Sequence, residues 1–181
     1  VKESPKWMQE RLNAIGLRPI NNIVDITNYI MMAYGQPMHC FDADKVTGHK
    51  IVVRTQPEGT KFVTLDGVEH KLGEHDLSIC NAEEPMCIAG IFGGKGSGTY
   101  ETTRNVVLES AYFHPTWIRK SARHHGLSTD ASFRFERGID PNGTIYALKQ
   151  AAILCQELAG GKVSMQIKDV YPQPLPNFDV R

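Results

Sequence analysis

The 181-residue sequence has no long apolar run and no excess of charge of either sign. Its longest apolar stretch, Met86 to Phe92, is far shorter than the roughly 18–20 residues that a membrane-spanning helix needs. Twenty Lys and Arg balance 20 Asp and Glu, which excludes the simplest nucleic-acid binder, one with a strongly basic face. A local basic surface remains compatible with this balance. The polar first residues do not resemble a signal peptide, so we expect a cytoplasmic protein without a membrane partner.

Cysteine is also scarce. The four cysteines, Cys40, Cys80, Cys87 and Cys155, are scattered, and none forms a C-x-x-C pair. This number is too low for a disulfide-stabilised scaffold, and each cysteine has apolar neighbours in sequence. We therefore expect buried, reduced thiols.

Several catalytic motifs are missing. The glycine-rich run 93–98 is not a phosphate-binding loop, because Gly94-Lys95 is followed by Gly96 where Ser or Thr is required. We interpret this run as a turn that requires positive φ. No G-x-S-x-G nucleophile elbow is present. The small residues Ala89, Gly90 and Gly93 at a strand end are typical of the open wall of a ligand pocket.

The seven histidines do not predict a metal site. They are spread along the chain, and no pair has ligand spacing with a third carboxylate or cysteine nearby. The adjacent His124 and His125 are expected to point to opposite sides of a helix end. The sequence therefore predicts no metal ligands.

The composition, 41% hydrophobic and 22% charged, is that of an ordinary globular chain. Apolar residues at helical spacing predict four helices, over residues 5–16, 23–35, 114–126 and 141–160. Strand patterns cover residues 51–54, 61–65, 68–72, 77–80, 86–91, 105–108 and 162–170, and Asp66-Gly67 indicates a two-residue hairpin turn. This order predicts an α+β fold with a mostly antiparallel sheet or barrel-like core flanked by helices.

Polar residues concentrate where these elements begin or end. Thr27 and Asn28 lie off the apolar stripe of the second helix, so they could face a cleft. His39 lies in a predicted turn over residues 35–42, and Glu109 follows a strand. Each has a structural alternative: Asn28 as a helix cap, Glu109 as an exposed strand-end acid, and His39 as a buried histidine bonded to backbone.

Together these segments resemble a known family. The matching motifs are N-N-I-V-D-I-T-N-Y at 21–29, G-Q-P-M-H-C-F-D at 35–42, I-A-G-I-F-G-G at 88–94, V-L-E-S-A-Y-F at 107–113 and T-D-A-S-F-R-F-E-R-G-I-D-P at 129–141. In this order they closely resemble the editing module of the bacterial phenylalanyl-tRNA synthetase beta subunit. The resemblance implies one module over residues 1–170, followed by a proline-rich linker over 171–181 to the next module. A start without Met is likewise expected of a segment of a longer chain.

The resemblance also implies a function. The parent enzyme would be an α2β2 ligase that charges tRNA with phenylalanine using ATP and magnesium at a site in the alpha subunit. This module would need no cofactor and would hydrolyse tyrosine wrongly attached to tRNA(Phe). The family's catalytic positions fall on His39 and Glu109. Its substrate-binding positions fall on Arg18, Thr27, Asn28, Ala89, Gly90, Gly93, Thr129 and Ala131.

These residues suggest roles that remain open. Glu109 is suited to accept a hydrogen bond from the tyrosine hydroxyl, and His39 to orient a water or the terminal adenosine, or to act as a general base. Thr27, Asn28 and Thr129 could hold the amino group, the ester or the ribose, and Arg18 a phosphate. The alternative is a non-catalytic module that docks tRNA or assembles subunits, or a spacer. Convergence of Thr27, His39, Ala89, Glu109 and Thr129 on one pocket would favour editing.

Overall fold

The computed structural model describes residues 1–176. Its α-helices are α1 (Lys6–Ala14), α2 (Asn22–Tyr34), α3 (Pro115–His125), α4 (Asp130–Phe135) and α5 (Thr144–Ala159). Its strands are β1 (Met38–Asp42), β2 (Val52–Thr55), β3 (Thr60–Val63), β4 (Glu69–Leu72), β5 (Leu77–Cys80), β6 (Pro85–Ile88), β7 (Phe92–Gly93) and β8 (Val106–Ser110). Short 3-10 turns occupy Ala43–Lys45, Thr47–His49 and Pro141–Gly143.

Local sequence signals mark the starts and ends of the helices where the sequence predicts them. The Asn21 side chain caps α2 by accepting hydrogen bonds from the backbone N–H groups of Ile23 and Val24, at 3.1 and 2.9 Å. Gly35 ends the helix in the left-handed conformation at φ 71°, and Gly160 ends α5 in the same way. The four predicted helices are confirmed, whereas α4 was not predicted as a helix.

All strand pairs are antiparallel, which confirms the α+β class. The strands form a β1–β8 ribbon, a four-stranded sheet in the order β2-β5-β6-β7 and a β3–β4 hairpin. The hairpin turns at Asp66-Gly67, as predicted, with Gly67 at φ 85°. A β-bridge between Thr64 and Gly94 connects the hairpin to the segment that follows β7, and the Leu65 N–H donates to the carbonyl oxygen of Gly93 beside it. The barrel-like alternative does not hold, because these sheets do not close into one barrel.

The prediction of a turn over residues 35–42 is wrong for most of that segment. Strand β1 occupies Met38–Asp42 and pairs with β8 in a register that places Met38 opposite Ser110 and Asp42 opposite Val106. The partner strand lies far along the chain, so no local pattern reveals the pairing.

This ribbon separates two apolar cores. Cys40 packs into a helical core formed mainly by α1, α2 and α5, and Phe41 packs into a second core beneath the sheets, α3 and α4. Side chains alternate along a strand, so His39 shares the face of Phe41. Glu109 is paired directly with His39 and therefore lies on that face too.

The predicted strand over residues 162–170 is wrong. Residues 161–176 are exposed and belong to no helix or strand. Val163, Met165 and Ile167 do alternate with polar residues, but they remain 59%, 60% and 42% exposed because no strand pairs with this segment. The module boundary at residue 170 and the linker stay predictions, and residues 177–181 of that linker lie outside the described residues.

The positive-φ explanation of the glycine run is also wrong. None of Gly93, Gly94, Gly96 and Gly98 has positive φ. At Gly94 the requirement is space, because a Cβ atom there would lie 2.7 Å from the carbonyl oxygen of Met86. The run is therefore a place of close packing between chain segments.

The cysteine prediction is confirmed: Cys40, Cys80, Cys87 and Cys155 are all buried and free. Within residues 1–176, no helix combines the length and apolar character that a bilayer crossing demands.

Candidate functional site

A cavity of about 60 Å³ lies on the face of the β1–β8 ribbon that carries His39 and Glu109. The turn between β6 and β7 and helix α4 complete its wall. Five residues predicted for the site line it: His39, Gly90, Gly93, Glu109 and Ala131. Residues from four separate parts of the chain therefore converge at one place.

The His39 side chain packs against the ring of Phe41, with the ring centroids 4.5 Å apart. Its Nε2 atom is buried, and no residue in the described part of the chain forms a hydrogen bond with it. Burial lowers the pKa of His39 to about 4, because the charged imidazolium would lose its hydration. The imidazole is consequently neutral at physiological pH.

Gly93 leaves the space that His39 occupies. A Cβ atom at Gly93 would lie 2.7 Å from Cε1 of His39 and 2.9 Å from Cδ1 of Leu65. No L side chain fits there unless the imidazole or the leucine moves. This explains the small residue at the cavity wall that the sequence suggested.

Glu109 faces His39 from the neighbouring strand, and its Oε1 atom is buried without a hydrogen-bond partner among residues 1–176. Burial raises the pKa of Glu109 to about 8, so the carboxyl group is mostly protonated at neutral pH. Burial, and after it the charge of Glu109, raises the pKa of the nearby Cys87 thiol. These effects mark a pocket in which burial strongly disfavours charge.

Two buried polar atoms without a protein partner are energetically costly, because no hydrogen bond from residues 1–176 compensates for their burial. A ligand that hydrogen-bonds to both would recover that energy. A neutral imidazole and a protonated carboxyl can each donate one hydrogen bond and accept another. The pair His39–Glu109 is thus suited to a neutral, polar ligand group more than to a metal ion or a strong charge.

Thr129 supports the site without lining it. Its Oγ1 caps α4 by accepting a hydrogen bond from the backbone N–H of Ser132 at 3.0 Å, and it donates to the carbonyl oxygen of Ile91 at 3.1 Å. These two bonds fix the start of α4, and hence Ala131, against the β6–β7 turn. The hydroxyl is committed to backbone groups in this structure.

Four predicted site residues lie away from the cavity. Ala89 is buried in the core, so its neighbour Gly90 forms the wall instead. Thr27 is buried in α2, where its hydroxyl donates to the carbonyl oxygen of Val24 at 2.7 Å. Asn28 is half-buried on the same helix, and Arg18 is exposed on the α1–α2 connection. The predicted convergence is therefore partial. Of the five residues named for it, His39 and Glu109 line the cavity, and the other three do not.

The cavity also has lining residues that sequence reasoning missed. They are Pro37, Met38, Cys87, Ile91, Phe92 and Phe135. Most are apolar residues indistinguishable by pattern from ordinary core. The pairing of β6 with β7, which sets Cys87 opposite Gly93, the β1–β8 ribbon and helix α4 bring them to the site.

A larger open groove of about 430 Å³ lies elsewhere, beside β3 and the β5–β6 turn. Lys45, Lys61 and Lys95 line it together with Glu84. No residue predicted for the site reaches this groove, and Lys61 is already paired with Glu69 at 3.1 Å. The chemistry-bearing residues select the smaller cavity.

The expected divergence of His124 and His125 is wrong. Both approach the buried carboxylate of Asp76, His125 Nε2 at 2.7 Å and His124 Nδ1 at 3.3 Å from Oδ2. Burial acts to raise the pKa of Asp76, but hydrogen bonds from His125, Ser121 and the Gly73 backbone outweigh it and hold that pKa well below its usual range. Among the described residues, Asp76, His124 and His125 form the group whose ligand atoms are close enough together to hold a metal ion.

The chain is similar to known proteins over most of its length. Residues 1–160 match the B3/4 domain family. The phenylalanine–tRNA ligase beta subunit of Bacteroides fragilis is 67% identical over 180 residues, 99% of this chain and 22% of the relative. Those of Bacteroides thetaiotaomicron and Geobacter metallireducens are 68% and 51% identical, over 94% and 98% of this chain and 21% and 22% of the relatives.

The chain thus spans about a fifth of the length of the curated relatives that it matches, 22% in the first case. The match covers the ribbon, the cavity and α4, and it ends where α5 ends. The chain therefore belongs to the B3/4 domain family, and it is similar to a segment of bacterial phenylalanine–tRNA ligase beta subunits.

Proposed function

We propose that this chain is an editing module, which hydrolyses the ester between tyrosine and tRNA(Phe) in the cavity of His39 and Glu109. The observation that carries the proposal is the His39–Glu109 pair, two buried polar groups without partners on one face of the β1–β8 ribbon. The similarity to phenylalanine–tRNA ligase beta subunits supports the choice of substrate, since such a ligase faces tyrosine as a close competitor of phenylalanine.

Glu109 provides the selection. Tyrosine differs from phenylalanine by one hydroxyl, which an apolar synthetic pocket rejects poorly. In the editing cavity, that hydroxyl would donate to or accept from the Glu109 carboxyl. Phenylalanine would leave Oε1 buried and unpaired, at a cost of about 1–3 kcal/mol. The editing cavity therefore prefers tyrosine, whereas the synthetic pocket prefers phenylalanine.

His39 provides the positioning of water. The water oxygen attacks the ester carbonyl carbon, one water proton finally passes to the ribose oxygen, and free tyrosine leaves as the C–O bond breaks. A neutral Nε2 can accept a hydrogen bond from this water. With a pKa near 4, His39 is a weak base, which favours orientation of the water over full proton abstraction. No covalent enzyme intermediate is required.

The cavity must widen for this reaction. Its volume of about 60 Å³ is less than half of the about 150 Å³ of a cavity that holds benzene. Met38 and Phe92 are long lining side chains that keep some exposure, so a change of rotamer at either one would widen the cavity. The ring would then enter toward Glu109 while the ester stays near the mouth.

In this proposal the parent ligase supplies the rest. Charging with phenylalanine, using ATP and magnesium, would take place in the alpha subunit of an α2β2 cytoplasmic enzyme. This chain needs only the aminoacylated end of the tRNA, which suits its zero net charge. The exposed Arg18 can contact a phosphate, and Thr27 and Asn28 can contact the terminal nucleotide only if α2 or the tRNA end adjusts.

Deacylation of tyrosyl-tRNA(Phe) by the intact ligase tests the proposal. We expect His39→Ala and Glu109→Ala to slow release of tyrosine, while charging with phenylalanine stays unchanged. His75→Ala and Glu83→Ala, two changes at exposed positions outside the cavity, serve as matched controls. Wild-type deacylation in both cavity variants would refute the editing site. If the wild type hydrolyses nothing and the two cavity variants bind tRNA more weakly than the wild type, the non-catalytic docking module would be favoured.

A further inference from the structure

We propose that Asp76, His124 and His125 form a binding site for a divalent transition-metal ion such as Zn²⁺. One ligand atom from each residue lies within 4.8 Å of the others. None of the three lines the cavity of His39 and Glu109. This site is therefore separate from the proposed editing site and does not depend on it.

The fold brings these residues together from two elements. Asp76 immediately precedes β5, and its side chain is 3% exposed. His124 and His125 are the last residues of α3, and their rings stack at a centroid distance of 4.6 Å and an angle of 31°. A metal ion here would join the end of α3 to the loop between β4 and β5.

Gly73 leaves room for this arrangement. A Cβ atom at Gly73 would lie 2.9 Å from Cε1 and 3.2 Å from Nδ1 of His124, and 3.4 Å from Oδ2 of Asp76. The missing side chain lets two of the three ligands lie directly against the backbone. The Gly73 N–H also donates to Oδ2 of Asp76 at 2.7 Å, which orients the carboxylate.

The ligand distances are close to those of a metal site. Zn²⁺ binds nitrogen and oxygen at about 2.0–2.2 Å in a tetrahedron, so its ligand atoms lie about 3.3 Å apart. The His124–Asp76 distance is already 3.3 Å, and the His125–Asp76 distance of 2.7 Å must increase by about 0.6 Å. A small rotation of one side chain achieves this.

The donor set selects the class of metal. Two imidazoles and one carboxylate suit zinc and its neighbours more than Mg²⁺ or Ca²⁺, which prefer oxygen ligands throughout. Three protein ligands leave a fourth position for water or another side chain. His70 is a candidate, because its ring centroid lies 5.2 Å from that of His125 and its buried Nε2 has no hydrogen-bond partner within residues 1–176.

Titration of the chelator-treated full chain with Zn²⁺, followed by calorimetry, tests the site. We expect one ion per chain, and with Co²⁺ in place of Zn²⁺ the visible absorption bands of a tetrahedral site. His124→Ala should weaken Zn²⁺ binding roughly tenfold or more. Because the His124 side chain is 53% exposed, its removal does not threaten folding.

His75→Ala is the matched control, since His75 is an exposed neighbour that is not a ligand. It should bind Zn²⁺ like the wild type. Thermal unfolding gives a second readout: Zn²⁺ should raise the Tm of the wild type and of His75→Ala, but not of His124→Ala. Absence of stoichiometric binding to the wild type, or equal affinity in His124→Ala, would show that the cluster is only a hydrogen-bonded link between α3 and the loop.

Discussion

His39 and Glu109 stand directly opposite each other on the antiparallel strands β1 and β8, and each ends in a buried atom that lacks a hydrogen-bond partner within residues 1–176. Their pKa values move in opposite directions: burial favours the neutral imidazole at His39 and the neutral carboxyl at Glu109. An antiparallel register thus holds two uncharged, unsatisfied groups side by side. That relationship is the basis of the first predictions.

Glu109→Gln should show whether Glu109 selects tyrosine as a protonated carboxyl or as a charged carboxylate. Glutamine keeps one donor and one acceptor, so it should retain much of the preference for tyrosine over phenylalanine. Glu109→Ala should lower that preference by about 1–3 kcal/mol, or roughly 5- to 150-fold. The measurement is the ratio of deacylation rates for the two aminoacyl-tRNAs. Equal ratios in wild type and Glu109→Ala would rule out Glu109 as the selecting group.

Gly93→Ala should damage the site more than the fold. Its new Cβ would displace His39 or Leu65, so we expect a large fall in deacylation and a loss of about 1–3 kcal/mol in the free energy of unfolding. Gly96→Ala is the matched control, because a Cβ there meets nothing within 4 Å and Gly96 does not have positive φ. Similar rates in both variants would show that the position of His39 is unimportant.

The free energy of unfolding should fall with rising pH because of Glu109. Its pKa is raised from 4.5 to about 8, so its contribution is complete below 4.5 and is lost as pH rises through 8. The slope cannot exceed about 1.4 kcal/mol per pH unit, the value for one proton. Urea unfolding of wild type and Glu109→Gln between pH 6.5 and 8, above the range in which His39 contributes, should show the slope in the wild type alone. Parallel curves would contradict a buried, protonated Glu109.

His39 should have the opposite effect at lower pH. Its pKa falls from 6.5 to about 4, so the unfolded chain binds the extra proton between these values. The stabilising contribution is present above 6.5 and is lost as pH falls through 4. Glu109→Gln removes the opposing contribution of Glu109 above pH 4.5. In that background, His39→Gln should remove the acid sensitivity, as measured by urea unfolding at a series of pH values. An unchanged acid transition would place the imidazole in water rather than in the pocket.

Asp25 should matter for stability and not for the chemistry. It is fully buried, and its carboxylate accepts hydrogen bonds from Ser4 Oγ at 2.5 Å and from the Ile20 N–H at 2.8 Å. Asp25→Ala leaves both donors unpaired and should cost about 2–3 kcal/mol in unfolding free energy. The exposed Asp169→Ala should change little. A loss below about 0.5 kcal/mol, as at ordinary surface sites, would contradict this account.

Much of the local structure was predictable from the sequence. Asn21, Gly35 and Gly160 mark helix ends, and Asp66-Gly67 marks a hairpin, because each of these signals acts through the backbone of its immediate neighbours. The order of the motifs also indicated the similarity to bacterial phenylalanine–tRNA ligase beta subunits, which the relatives confirm. The α+β class followed from the spacing of apolar residues.

Other features depended on which distant segments meet. The pairing of β1 with β8 turns a predicted loop into a strand and sets His39 against Glu109, and packing of α3 on the β4–β5 loop brings His124 to Asp76. Thr27 was expected in the pocket but bonds within its own helix.

The sequence by itself therefore determined the helix ends, the hairpin, the family and five of the residues that line the cavity. Only the tertiary structure decided which of the candidate residues share a cavity, which strand patterns find partners and which histidines meet a carboxylate. The physical reason is range: capping and turn formation involve residues a few positions apart, whereas burial, pKa shifts and unpaired polar atoms arise from neighbours that the chain brings together only when it folds.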